Sequence, residues 1–228
     1  MNQNSPINSD TKKNDAPASF SSQSLAHFTE CLASKAPVPG GGGAAGLSGA
    51  LGASLGQMVV NLTLGKKKYA AYEAELLTLG IFFEQARADF LALAAEDEAV
   101  FLPLSAAYKL PSDTEKARLK KQEALEPLLE AAARTPLRLM QLAKESAKAL
   151  RRLVPVASRL AISDAAAGAS LIEAAAAASS MNVIINANSL QNRALSNALL
   201  SEADQLLAET KADCAAVAAA VAAALRPS

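Results

Sequence analysis

The sequence predicts an all-α protein, a bundle of long antiparallel helices, and three observations carry that prediction. Ala and Leu dominate the chain after residue 21, and both are strong helix formers. No bounded run of Val, Ile, Thr and aromatic residues alternates with polar ones, as a half-buried strand requires. From Tyr69 to Tyr108 the apolar positions keep helical spacing over about forty residues, roughly 60 Å if unbroken at 1.5 Å per residue.

The elements follow in order. Residues 1–21 are rich in Ser, Asn, Lys and Asp without periodicity and read as a disordered tail, which leaves 22–228 as a single helical domain. Ser22 is placed to cap a first helix to about Ser34, after which Pro37, Pro39 and the four glycines Gly40, Gly41, Gly42 and Gly43 force a loop. A second helix is expected from about Ala44 to Leu64, and Pro111 marks the end of the long third one. Ser112-Asp113-Thr114-Glu115 has the spacing of a capping box for the next helix. Pro127 and Pro136 are expected to kink or divide that helix before it stops near Arg152, and Pro155 breaks the chain again. Ser163 or Asp164 then caps an Ala-rich helix reaching about Ala187, and a last helix runs from about Gln191 to Leu225. Broad apolar faces on such helices need more than one neighbour, so self-association is expected.

Composition limits the function classes. Lys plus Arg and Asp plus Glu number 22 each in 228 residues, so no global field draws the protein to nucleic acid or to an anionic membrane. Cys31 and Cys214 are far apart and no apolar signal core precedes them, which fits two reduced thiols in a cytoplasmic protein rather than a disulfide framework or a zinc site. His27 stands alone, without the companions a metal site or a nucleophile–base pair needs. The run Ala36–Gly65 carries no charge, but its hydropathy comes from Ala, Gly and Ser, and Gln57 and Asn61 interrupt it. A closely packed central helix explains it better than a bilayer span, because Gly42, Gly46, Gly49, Gly52 and Gly56 admit another backbone.

Asp97 is the clearest anomaly. Its neighbours one turn away, Leu93, Ala94, Val100 and Phe101, are all apolar, while Glu96 and Glu98 are read as facing elsewhere. A carboxylate on that stripe is either paired with a buried cation or poorly solvated, with a raised pKa suited to proton transfer. The glycine run Gly40–Gly43 enters a helix N-terminus, where free N–H groups can meet an anion or carbonyl; it reads equally as a flexible turn and matches neither a phosphate-binding nor a dinucleotide-binding fingerprint. Lys66, Lys67 and Lys68 follow Asn61 at a helix end, either complementing the dipole or forming a clamp for ligand carboxylates. Asp164 reads first as a cap. Asn182 and Asn186, one turn apart on an apolar helix, each need a hydrogen-bond partner from protein or ligand.

Five segments in this order resemble the formiminotetrahydrofolate cyclodeaminase and methenyltetrahydrofolate cyclohydrolase family over about Phe28 to Leu200. They are Ala36-Pro37-Val38-Pro39-Gly40-Gly41-Gly42 leading to Gly49-Ala50-Leu51-Gly52-Ala53, then Asn61-Leu62-Thr63-Leu64-Gly65-Lys66-Lys67-Lys68-Tyr69, Lys109-Leu110-Pro111, Ser163-Asp164 and Asn182-Val183-Ile184-Ile185-Asn186. The family's acidic motif, an Asp four residues before a Phe, falls on Asp97 and Phe101. Gly43 stands where the family often has Ser or Thr, and Ala95 where it often has an acid.

The resemblance implies a homodimeric helical bundle that takes a tetrahydrofolate derivative as substrate and uses no metal or cofactor. It implies Asp97 as acid and base. Gly40 to Gly43 would admit the pterin or the one-carbon end close to backbone, Lys66, Lys67 and Lys68 would hold tail carboxylates, and Asn61, Asp164, Asn182 and Asn186 would orient polar atoms. The expected reaction is hydrolysis of 5,10-methenyltetrahydrofolate to 10-formyltetrahydrofolate. The alternatives are cyclodeamination of the formimino compound, or folate binding without turnover. The absence of a formimino-transfer segment from the sequence tilts the expectation toward hydrolysis.

Overall fold

The computed structural model describes residues 23–226, so the tail expected over 1–21 and the cap expected at Ser22 lie outside the described residues. Six α-helices follow one another: α1 Leu25–Leu32, α2 Gly41–Asn61, α3 Glu73–Ala107, α4 Glu115–Leu153, α5 Ile162–Ser189 and α6 Arg193–Leu225. Short 3-10 turns at Lys67–Tyr72 and Val154–Val156 complete the chain, and there is no strand among the described residues.

Helix α2 lies between α3 and α5 and runs antiparallel to both. Gly42 faces Asp97 and Gly56 faces Phe83 on α3, while Gly41 faces Asn182 and Gly52 faces Gly168 on α5. The glycines set the closeness of this packing. A Cβ on Gly46 would stand 2.8 Å from the Phe90 carbonyl oxygen, and one on Gly49 would stand 2.4 Å from the Phe90 ring. Phe83 and Phe90 are wholly buried in these seats. Helices α2 and α5 are long and apolar enough to cross a membrane by length and composition, and here much of that apolar surface packs against neighbouring helices of the bundle.

Several boundaries differ from expectation. The first helix begins after Ser24, whose hydroxyl accepts from the His27 N–H. Helix α2 starts at Gly41, so the glycine run forms its first turn instead of a free loop. Thr114, not Ser112, caps α4 by accepting from the Ala117 N–H. Helix α5 begins without a side-chain cap after Ala161, which leaves Asp164 in its first turn, where the dipole still favours a carboxylate.

Prolines divide nothing here: α4 continues through Pro127 and Pro136, and α3 through Pro103. Each proline lacks the N–H that its i−4 carbonyl would accept, so bundle packing has overridden the local preference. At Pro136 the loss is made good, because the freed Ala132 carbonyl accepts from Asn186 Nδ2 at 3.0 Å. Glu126 of α4 accepts from the N–H groups of Gln191 and Asn192 at 2.9–3.0 Å and so fastens the entry to α6.

Candidate active site

A cavity of about 470 Å³ opens where the N-terminus of α2 meets the C-terminal third of α3 and the C-terminal half of α5. Its lining includes Pro37, Gly40, Gly41, Gly42, Asp97, Phe101, Tyr108, Asn182 and Asn186. Asp97 reaches it because α3 crosses α2 at Gly42. A Cβ on Gly42 would come within 2.0 Å of Asp97 Oδ2, so only glycine leaves room for the carboxylate against the helix end.

Burial pushes the Asp97 carboxyl up from 3.8 to about 6, and the neighbouring Glu98 charge adds to the shift. No ion pair or hydrogen bond holds Asp97 among the described residues, so the buried-cation reading does not apply. The group is therefore part ionised and part protonated near neutral pH, the condition for taking and returning a proton. Beside it, the Asn186 amide nitrogen donates to the carbonyls of Ala132 and Asn182, at 3.0 and 2.8 Å. Its carbonyl oxygen is left for another donor. The Asn182 amide lies next to Gly41, 3.7 Å from where a Cβ would be.

Sequence reasoning missed Tyr108, which lines the cavity, and the burial of Glu98, which does not line it. Glu98 was read as facing away, yet one of its carboxylate oxygens is buried without a partner, and burial raises its pKa. The signal was available: Ala94, Ala95, Phe101 and Leu102 surround position 98 at helical spacing as apolarly as Asp97's own neighbours. Glu96 differs, being paired with Arg138 at 2.5 Å on the α4 side.

The other candidates do not join Asp97 within one chain. Asn61, Lys66, Lys67 and Lys68 lie at the opposite end of α2, whose 21 residues span roughly 30 Å at 1.5 Å per residue. Asp164 begins α5 at that same far end, because α5 runs antiparallel to α2. Gly43 is buried in α2 and is absent from the cavity lining. Nor do the three lysines form one clamp. Lys66, which precedes the 3-10 turn in extended backbone, donates to Ser158 Oγ at 2.9 Å; within the turn Lys67 and Lys68 point about 120° apart, and Lys68 lies 5.6 Å from the centre of the Tyr69 ring.

Known proteins resemble the chain along most of its length. A methenyltetrahydrofolate cyclohydrolase of Methylorubrum extorquens is 35% identical over 190 residues, which is 83% of this chain and 91% of that one. A formimidoyltransferase-cyclodeaminase of Rattus norvegicus is 28% identical over 194 residues; the match covers 85% of this chain and 36% of the longer rat protein. The crystal structure of a formiminotetrahydrofolate cyclodeaminase from Thermotoga maritima superposes with a TM-score of 0.81 at 27% identity, covering 89% of this chain and 98% of that one. A cyclodeaminase of this extent removes the reason, drawn from a missing transfer segment, for favouring hydrolysis. The formiminotransferase-cyclodeaminase family model matches residues 24–205, and the chain belongs to that family.

Proposed function

We propose that the chain hydrolyses 5,10-methenyltetrahydrofolate to 10-formyltetrahydrofolate, with Asp97 moving the protons and without a cofactor. The observation that carries this is the carboxylate of raised pKa held against Gly42, inside a cavity that Asn182 and Asn186 also line. The M. extorquens cyclohydrolase, similar over nearly its whole length, supports the choice of reaction. In this reading water adds to the carbon bridging N5 and N10 as Asp97 takes one of its protons. The bond from that carbon to N5 then breaks, Asp97 returns its proton to N5, and the hydroxyl oxygen becomes the formyl carbonyl as its own proton leaves to solvent. Both steps pass through a tetrahedral carbon.

A second reading is favoured by the T. maritima structure. In cyclodeamination, N10 attacks the formimino carbon on N5 and ammonia leaves, and the same acid and base serve. The test is to offer each compound to purified protein and follow the methenyl absorbance. Its loss from 5,10-methenyltetrahydrofolate supports hydrolysis, and its growth from 5-formiminotetrahydrofolate supports the second reading. Binding without either change would leave a folate-binding protein that lacks turnover.

The working unit in this proposal is a homodimer. The outer face of α2 carries Leu51 and Met58, with Leu62 just beyond its end, each more than a third exposed, and the helix has no charged residue. Antiparallel pairing of two such faces would bring the end of α2 that precedes Lys66 and Lys67 toward the other copy's Gly40–Gly42 end, where a tail carboxylate could meet them.

A further inference from the structure

A larger cavity, of about 800 Å³, lies at the far end of the bundle from Asp97 and shares no lining residue with the first. Its floor is apolar and comes from three elements: Val154, Pro155 and Ala157 after α4, Ile162 at the start of α5, and Val217 with Ala220 on α6. Tyr69 and Tyr72 of the 3-10 turn form one wall. The rim holds three cations, Lys68, Arg151 and Arg159, and the lining contains no carboxylate.

These cations differ in how far they are already engaged. Arg151 is paired with Asp213 at 2.9 Å, and Lys68 rests near the Tyr69 ring. Arg159 has no acidic partner among the described residues, and its backbone N–H donates to the Tyr69 hydroxyl at 3.4 Å, which anchors the main chain of this residue beside the aromatic wall. An arginine fork matches a carboxylate in two parallel bonds. A floor of Val, Pro, Ala and Ile with tyrosine faces suits a flat ring, and the volume falls in the range of small-molecule sites.

We propose that this cavity is a second ligand site, separate from Asp97, which takes aryl carboxylates: the ring lies on the Val154–Val217 floor against Tyr69 and Tyr72, and the carboxylate meets Arg159, with Lys68 beside it. Phosphate esters fit less well, since the apolar floor has no use for a strongly hydrated body.

Binding is read by calorimetry. The probe is 2-naphthoate, with 2-naphthylmethanol as its neutral counterpart. Saturable binding of naphthoate at one per chain is expected, weakened about tenfold by Arg159→Gln and by added salt, and unchanged by Asn182→Ala in the Asp97 cavity. Tyr72→Ala should weaken it too, while Arg159→Gln leaves folate turnover as in wild type. The proposal is overturned if naphthoate does not saturate by millimolar concentration, if the neutral alcohol binds as well, if Arg159→Gln changes nothing, or if Asn182→Ala abolishes binding. Because turnover is measured separately, failure here leaves the reading of Asp97 standing, and failure of that reading leaves this one.

Discussion

At Asp97 burial and a like charge act on one carboxylate in the same direction, and both push its pKa up to about 6. The folded chain therefore holds a proton that the unfolded chain has released between about pH 4 and 6. Stability falls as pH rises through that window and is level above it, by on the order of 2–3 kcal/mol for two pK units. Asp97→Asn should consequently be as stable as wild type or more so at pH 7.5, by about 1–3 kcal/mol in urea melts, while turnover drops by about 10²–10⁴-fold. Gly42→Ala places a methyl where the carboxylate sits; it should lower kcat by at least about tenfold while circular dichroism remains helical, since a small misplacement of a reacting group is costly. Asp97 was legible in the sequence because all four of its one-turn neighbours are apolar. Glu98 has the same kind of surroundings, and was missed because a helical phase read around Asp97 assigned its neighbour to another face. That Gly42 is the contact could not be read, since it depends on how α3 crosses α2.

Helices α2 and α4 show how far local rules carry. The glycine spacing on α2 pointed to close backbone packing, and the seats for Phe83 and Phe90 give the reason. Gly46→Ala should therefore destabilise despite the better helix propensity of alanine, by about 1–3 kcal/mol in denaturant melts, because its Cβ meets the Phe90 carbonyl, which cannot swing aside. Pro127 and Pro136 do not divide α4, and at Pro136 the missing N–H is offset because another donor takes the freed carbonyl. Asn186 is that donor for Ala132, so one residue serves both the bundle and the cavity. Asn186→Ala should cost about 1–3 kcal/mol by orphaning that carbonyl. Much of the cost should vanish in a Pro136→Ala background, where the helix supplies its own N–H, and a double-mutant cycle reads the difference. No sequence pattern links positions 136 and 186, because the link exists only after α4 and α5 have packed.

Across the whole molecule, α2 separates the sequence motifs into two groups. Gly40–Gly42, Asp97, Asn182 and Asn186 gather at one end, while Asn61, Lys66–Lys68 and Asp164 gather at the other. The motifs were legible but their distribution was not, since spacing along a chain does not say which end of a bundle a segment reaches. If the uncharged face of α2 pairs with itself, sedimentation equilibrium should give a dimer at micromolar concentration, and Leu51→Glu should shift it toward monomer. The assignment of Asp97 as the proton-moving group is tested most directly by the pH dependence of kcat/KM for loss of the methenyl absorbance, measured on wild type and Asp97→Asn. The predicted result is a wild-type profile that rises through about pH 6 and levels above it, with a low and flat profile for the variant. Near-wild-type rates in a folded Asp97→Asn, or a wild-type profile with no inflection near that pH, would contradict it.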